Sequence, residues 1–207
     1  MRRLPALAAA LLLIATAPAS AHRASERVGA PPQGVSIPSL THGQMAVISD
    51  NLAAIRALAR DRTGFDMTTW RLEDYLNLQS FACLWGLVPG SVADEDSPFN
   101  ECAHAYLAAG RSLLLQLAGT PGVDRKAVEA LTRKIEREMI ANGAALTLCR
   151  YSDEPFNSNE VIWPHWAMVP RHPPTVALAA AMLAALGAAV WALWPRRATA
   201  TPPQPDA

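Results

Sequence analysis

The chain has 207 residues, with 18 basic and 18 acidic side chains, 5 histidines and 3 cysteines. Between its two apolar ends, residues 22–174 carry 14 basic and 17 acidic groups, a net charge near −3 that gives no footing for nucleic acid, which demands a basic surface. A segment of that length suits one domain with its own core.

Residues 1–21 have the three parts of a secretory signal: Arg2 and Arg3, an apolar run from Leu4 to Thr16, and Ala19, Ser20 and Ala21 in the A-x-A cleavage pattern. The run of about 13 residues falls short of the roughly 20 that a spanning helix needs, so removal after Ala21 is expected. Residues 22–38 are rich in Pro, Gly, Ser and Ala without an apolar period, and read as a flexible leader.

Residues 39–150 read as four helices joined by short turns. The first, near Gly43 to Arg60, sets Met45, Ile48, Leu52, Ile55 and Ala59 in one apolar stripe, with Ser39 or Thr41 as N-cap. The second, from Met67 to Leu87 with Thr68 or Thr69 as cap, has Leu72, Leu76, Gln79, Cys83 and Leu87 on one face. Phe81, Leu84 and Trp85 widen that face, so this helix is expected to be the most buried. The third opens with Ser97 as N-cap before Pro98 and carries Tyr106, Leu107, Leu113, Leu114 and Leu117 to a stop at Gly119. The fourth, Asp124 to Arg150, has Val128, Leu131, Ile135, Met139 and Leu146 inward, and Glu129/Arg133 and Lys134/Glu138 as charge pairs on a solvated face. No strand-like alternation of useful length appears. The expected class is all-α: an up-and-down four-helix bundle followed by one C-terminal transmembrane helix.

Residues 151–174, with Pro155, Pro164, Pro170, Pro173 and Pro174, read as a Pro- and Trp-rich juxtamembrane stalk that cannot continue the helix. Thr175 to Trp194 contains no charge and is long enough to cross the hydrocarbon layer and contact membrane lipid. Trp163, Trp166, Trp191 and Trp194 flank it as interfacial anchors, and Arg196 and Arg197 hold residues 195–207 in the cytoplasm by the positive-inside rule. The bundle then lies outside the cell membrane, in the periplasm if the cell is Gram-negative. Ala177, Ala181, Ala185 and Ala189 form a small-residue row suited to packing on a membrane-protein partner or a second copy.

Alternating helix directions would bring Cys83, Cys102, Cys149, His42 and His104 to one pole, beside Asp94, Glu95, Asp96 and Glu101. In an oxidising compartment two cysteines pair. Cys102 with Cys149 is the preferred disulfide because Cys83 sits on the apolar face, and Cys83 with Cys102 is the alternative. A metal site from His42, Cys102 and His104 is the sharper reading, but Cys-x-His on a helix points its two side chains about 200° apart. The acidic run reads as helix capping, since Pro98 and Phe99 break the calcium-loop pattern. No G-x-S-x-G, H-E-x-x-H, Cys-x-x-Cys or phosphate loop occurs, so neither enzymatic activity nor a cofactor is expected. The expected function is a membrane-anchored extracytoplasmic module that binds or helps assemble another envelope component. An envelope metal or small-molecule sensor using the Cys/His pole is the alternative.

Overall fold

A computed structural model describes residues 34–146, 148, 150–151 and 155–193, which are mostly helical. The expected signal, most of the leader, Cys149, Trp194, Arg196 and Arg197 lie outside the described residues.

Helix α1 (His42–Arg60) starts where the Thr41 side chain accepts from the Gln44 N–H and the Gln44 side chain accepts from the Thr41 N–H. This capping box satisfies two N–H groups that a helix start leaves unpaired. Met45, Ile48, Ile55 and Ala59 are fully buried, as the stripe requires. Helix α2 (Met67–Ala82) is capped by Asp66, which accepts from the Thr69 N–H, rather than by either threonine. It stops five residues earlier than its pattern suggests, because Leu84, Trp85 and Gly86 all turn left-handed. Leu84 and Trp85 are consequently exposed, and Phe81, still within α2, is exposed as well, against the expectation that they widen a buried face. Helix α3 (Asn100–Leu117) is instead the core element, with Cys102, Ala103, His104, Leu107, Leu113 and Leu117 among its fully buried residues. It begins two residues after Pro98, without a side-chain cap. Helix α4 (Arg125–Ala141), capped by Asp124, ends at a left-handed Gly143 rather than reaching Arg150. Its ion pairs Glu129/Arg133 and Lys134/Glu138 form at 3.4 and 3.6 Å.

α3 packs against both α1 and α2, and α4 lies mainly on α1. Gly110 permits the α1–α3 approach, since a Cβ there would meet Leu52 Cδ1 at 2.8 Å. The ends of the helices meet in two sets. The Thr63 N–H donates to Gly122 O at 3.1 Å and the Thr69 and Thr120 hydroxyls bond at 2.7 Å, joining the α1–α2 and α3–α4 turns. At the other end, Cys83 is bonded to Cys102, and Thr41 Oγ1 donates to the Ala144 carbonyl at 2.5 Å.

Residues expected to be leader and stalk are partly docked. β1 (Ser36–Ile37) pairs antiparallel with β2 (Phe156–Asn157), and Ile37 is fully buried. Helix α5 (Pro173–Leu193) then leaves this assembly. Beyond half-buried Leu178 every residue of it is exposed. It is the only helix among the described residues long and apolar enough to cross a membrane.

The disulfide differs from the expected Cys102–Cys149 pairing: Cys102 is joined to Cys83, 19 residues away. α2 ends at Ala82, so Cys83 lies at the mouth of the α2–α3 connection instead of deep in a longer helix. Closing a loop of this length restricts the unfolded chain by about 3 kcal/mol. Replacing both residues by alanine should lower the unfolding free energy of the detergent-solubilised chain by about that amount. Thiol titration of the unreduced, denatured chain should find one reactive group, on Cys149.

Candidate functional site

The disulfide end of the domain gathers most of the chemistry-bearing side chains. His42 opens α1 and His104 sits one turn into α3, and their rings lie 6.2 Å apart, edge to face. Tyr151 places its ring 5.8 Å from His104, while His42 Nδ1 is 4.0 Å from Glu95. His104 is fully buried. Desolvation, with the neighbouring His42 charge second, drives its pKa down from 6.5 to about 4, so the ring is neutral at physiological pH.

Of the expected His42, Cys102 and His104 set, the two histidine rings approach each other. The Cys102 sulfur is consumed in the disulfide, and among the described residues no group of three His, Cys, Asp or Glu side chains is arranged to hold a metal ion. Asp94, expected to cap α3, instead faces the chain that leads to α5. Its carboxylate accepts from His172 Nε2 at 3.0 Å and from the Asp96 N–H at 3.0 Å. The His172 hydrogen bond is the larger cause, and together they hold the Asp94 pKa below its ordinary value.

This contact belongs to a seam along which residues 162–175 are fastened to the helices. Buried Gln79 makes two bonds to one residue: its Nε2 donates to Ile162 O at 2.6 Å and its Oε1 accepts from the Ile162 N–H at 3.0 Å. The His165 N–H donates to Pro98 O at 2.9 Å and its Nε2 to Glu101 at 2.6 Å. The Trp166 ring stands edge-on to buried Phe99, 5.5 Å away, and both Trp163 and Trp166 remain exposed. His172 Nδ1 meets the Thr175 hydroxyl at 2.6 Å.

Asp94, His172 and Thr175 thus form a carboxylate–imidazole–hydroxyl row beside a cavity of about 390 Å³ lined by Asp94, Asp96, Arg171 and His172. Thr175 is buried and does not line the cavity, so it is not placed to reach a ligand there. Pro173 and Pro174 occupy the helix start and remove the N–H donors that would stabilise an oxyanion. Three residues apart, His172 and Thr175 instead secure the first turn of α5.

His165, His172 and Gln79 carry the seam, and the sequence reading gave none of them a role there. The available signal was a glutamine on an otherwise apolar row of α2, since a buried amide must find partners. A second surface was also missed. Met67, Trp70, Leu78 and Phe81 are exposed on the outward side of α2, on either side of exposed Asp74, and exposed Trp85 follows in the turn beyond the helix. No family model, curated protein or solved structure matches the chain.

Neutral, buried His104 makes stability depend on pH. Between its folded value of about 4 and its unfolded value of 6.5 the unfolded chain binds the extra proton, so acidification favours unfolding. The unfolding free energy should fall by up to about 3 kcal/mol across that window and level off below it. His104→Gln should flatten the profile, as read by urea titrations at successive pH values. The Asp94 contribution acts lower: present above 3.8, it is lost as pH falls below that value, and Asp94→Asn should remove it.

Proposed function

We propose that the chain is a membrane-anchored extracytoplasmic module, an up-and-down four-helix bundle on a single-pass helix, that binds or helps assemble another envelope component and performs no catalysis. The outward row of α2 carries this reading. Trp70, Leu78 and Phe81 are 48, 49 and 57% exposed, on a helix whose opposite face is already spent on the core. Large apolar side chains repeated along one helix face are costly in water and typical of surfaces covered by a partner.

The tether is supported by α5. Its 21 residues span about 30 Å at the usual rise, the thickness of the hydrocarbon layer, and its apolar window is unburied by the rest of the chain. The signal-like residues 1–21 and Arg196 with Arg197 support a bundle outside and a tail in the cytoplasm. The seam argues for a bundle held near the lipid, because His172 bonds both Asp94 and Thr175 in the first turn of α5.

A photocrosslinking residue in place of Leu78 should give a discrete adduct with another membrane or envelope protein in intact cells, whereas the same group in place of Lys126, on the solvated face of α4, should give none. Equal, diffuse labelling from both positions, with a monomer recovered from membranes, would remove the basis for the reading.

A further inference from the structure

We propose that the left-handed turn Leu84–Gly86, together with Leu87, is a second membrane contact that enters the lipid–water interface of the bilayer crossed by α5. The inference rests on the reading of α5 as membrane-spanning and adds a separate element to it.

Leu84 and Trp85 adopt φ values of 51° and 53°, followed by Gly86 at 67°, a conformation in which L side chains with a Cβ crowd their own backbone. The turn is held in it from both sides. Cys83 before it is fully buried and bonded to Cys102, Val88 after it is buried, and a Cβ on Gly86 would lie 2.6 Å from the Tyr106 hydroxyl. What this rigid turn presents is apolar: Trp85 is 56% and Leu87 71% exposed, and Phe81 stands edge-on to Trp85 at 5.1 Å. Strain maintained in order to expose large apolar groups points to a surface used for contact.

Position identifies the occupant as lipid. The Phe99 carbonyl lies 3.4 Å from the Cys83 sulfur, and the Phe99 ring packs on Trp166, which opens the Trp166–Arg171 segment leading directly into α5. The turn, the exposed indoles of Trp163 and Trp166 and the root of the apolar helix therefore cluster at one end of the domain. Indole and leucine side chains at the level where a helix enters the hydrocarbon layer partition into the interface. Asp94, Glu95 and Asp96 at the same end favour zwitterionic over anionic headgroups.

The test uses the full chain in phosphatidylcholine vesicles whose acyl chains are brominated near the headgroup, with the emission of single tryptophans obtained by difference from W85F, W191F and W70F variants. Trp85 and Trp191 should lose most of their intensity, while Trp70, at the far end of α2, should keep its own. L87D should restore Trp85 emission without changing Trp191. An unquenched Trp85 beside a quenched Trp191 overturns the turn proposal and leaves the anchor standing, whereas an unquenched Trp191 removes the anchor reading itself. Quenching of Trp70 equal to that of Trp85 overturns the proposal as non-specific adsorption. An unquenched Trp85 whose emission shifts to shorter wavelength with protein concentration assigns the turn to a second copy of the chain and overturns it too.

Discussion

Cys83 and Cys102 join the end of α2 to the first turn of α3, and the arrangement of that end of the domain follows from the bond. It fixes where the α2–α3 connection begins and ends, and so where Asp94 and Pro98 stand. The Phe99 carbonyl lies over both sulfurs, at 3.4 and 3.2 Å. The bond anchors one side of the left-handed turn after Cys83, while buried Val88 and the Tyr106 hydroxyl beside Gly86 bound the other.

Those residues then act as a fastening rather than a free tether. Gln79 supplies to Ile162 the two hydrogen bonds a neighbouring strand would have given, which lets an irregular, proline-rich segment lie against a helix without orphaned backbone groups. His165 on Glu101 and His172 on Asp94 add charge-compatible contacts on either side of Trp166. A transmembrane reading of α5 therefore comes with a restricted orientation for the domain above it, and an interaction surface on α2 would be presented at a defined height and angle rather than swept through solution.

Much of the helical framework was legible because apolar period reports burial directly: the α1 stripe at Met45, Ile48, Ile55 and Ala59 is buried as spaced. The end of α2 was not. Its row of Phe81, Leu84, Trp85 and Leu87 is apolar enough to look like core, and periodicity cannot tell a face that meets the core from one held out toward something absent. The same ambiguity moved Cys83 into the interior of a helix that stops before it, and so favoured the wrong disulfide. The seam was invisible for a different reason. Its contacts link residues 83 and 78 positions apart, Gln79 with Ile162 and Asp94 with His172, and no local pattern encodes a pairing over that distance. The two-residue pairing of Ser36–Ile37 with Phe156–Asn157 is likewise too short to leave an alternation.

The central claim is that the helical domain and the segment after Leu193 lie on opposite sides of one membrane. Sealed right-side-out membrane vesicles bearing the chain with an epitope after Ala207 test it directly, using an impermeant amine reagent and an antibody added from outside. Labelling of exposed Lys126 in the intact vesicles, with the epitope detected only after permeabilisation, is the predicted result. Detection of the epitope in intact vesicles while Lys126 stays protected, or access to both at once, would contradict it.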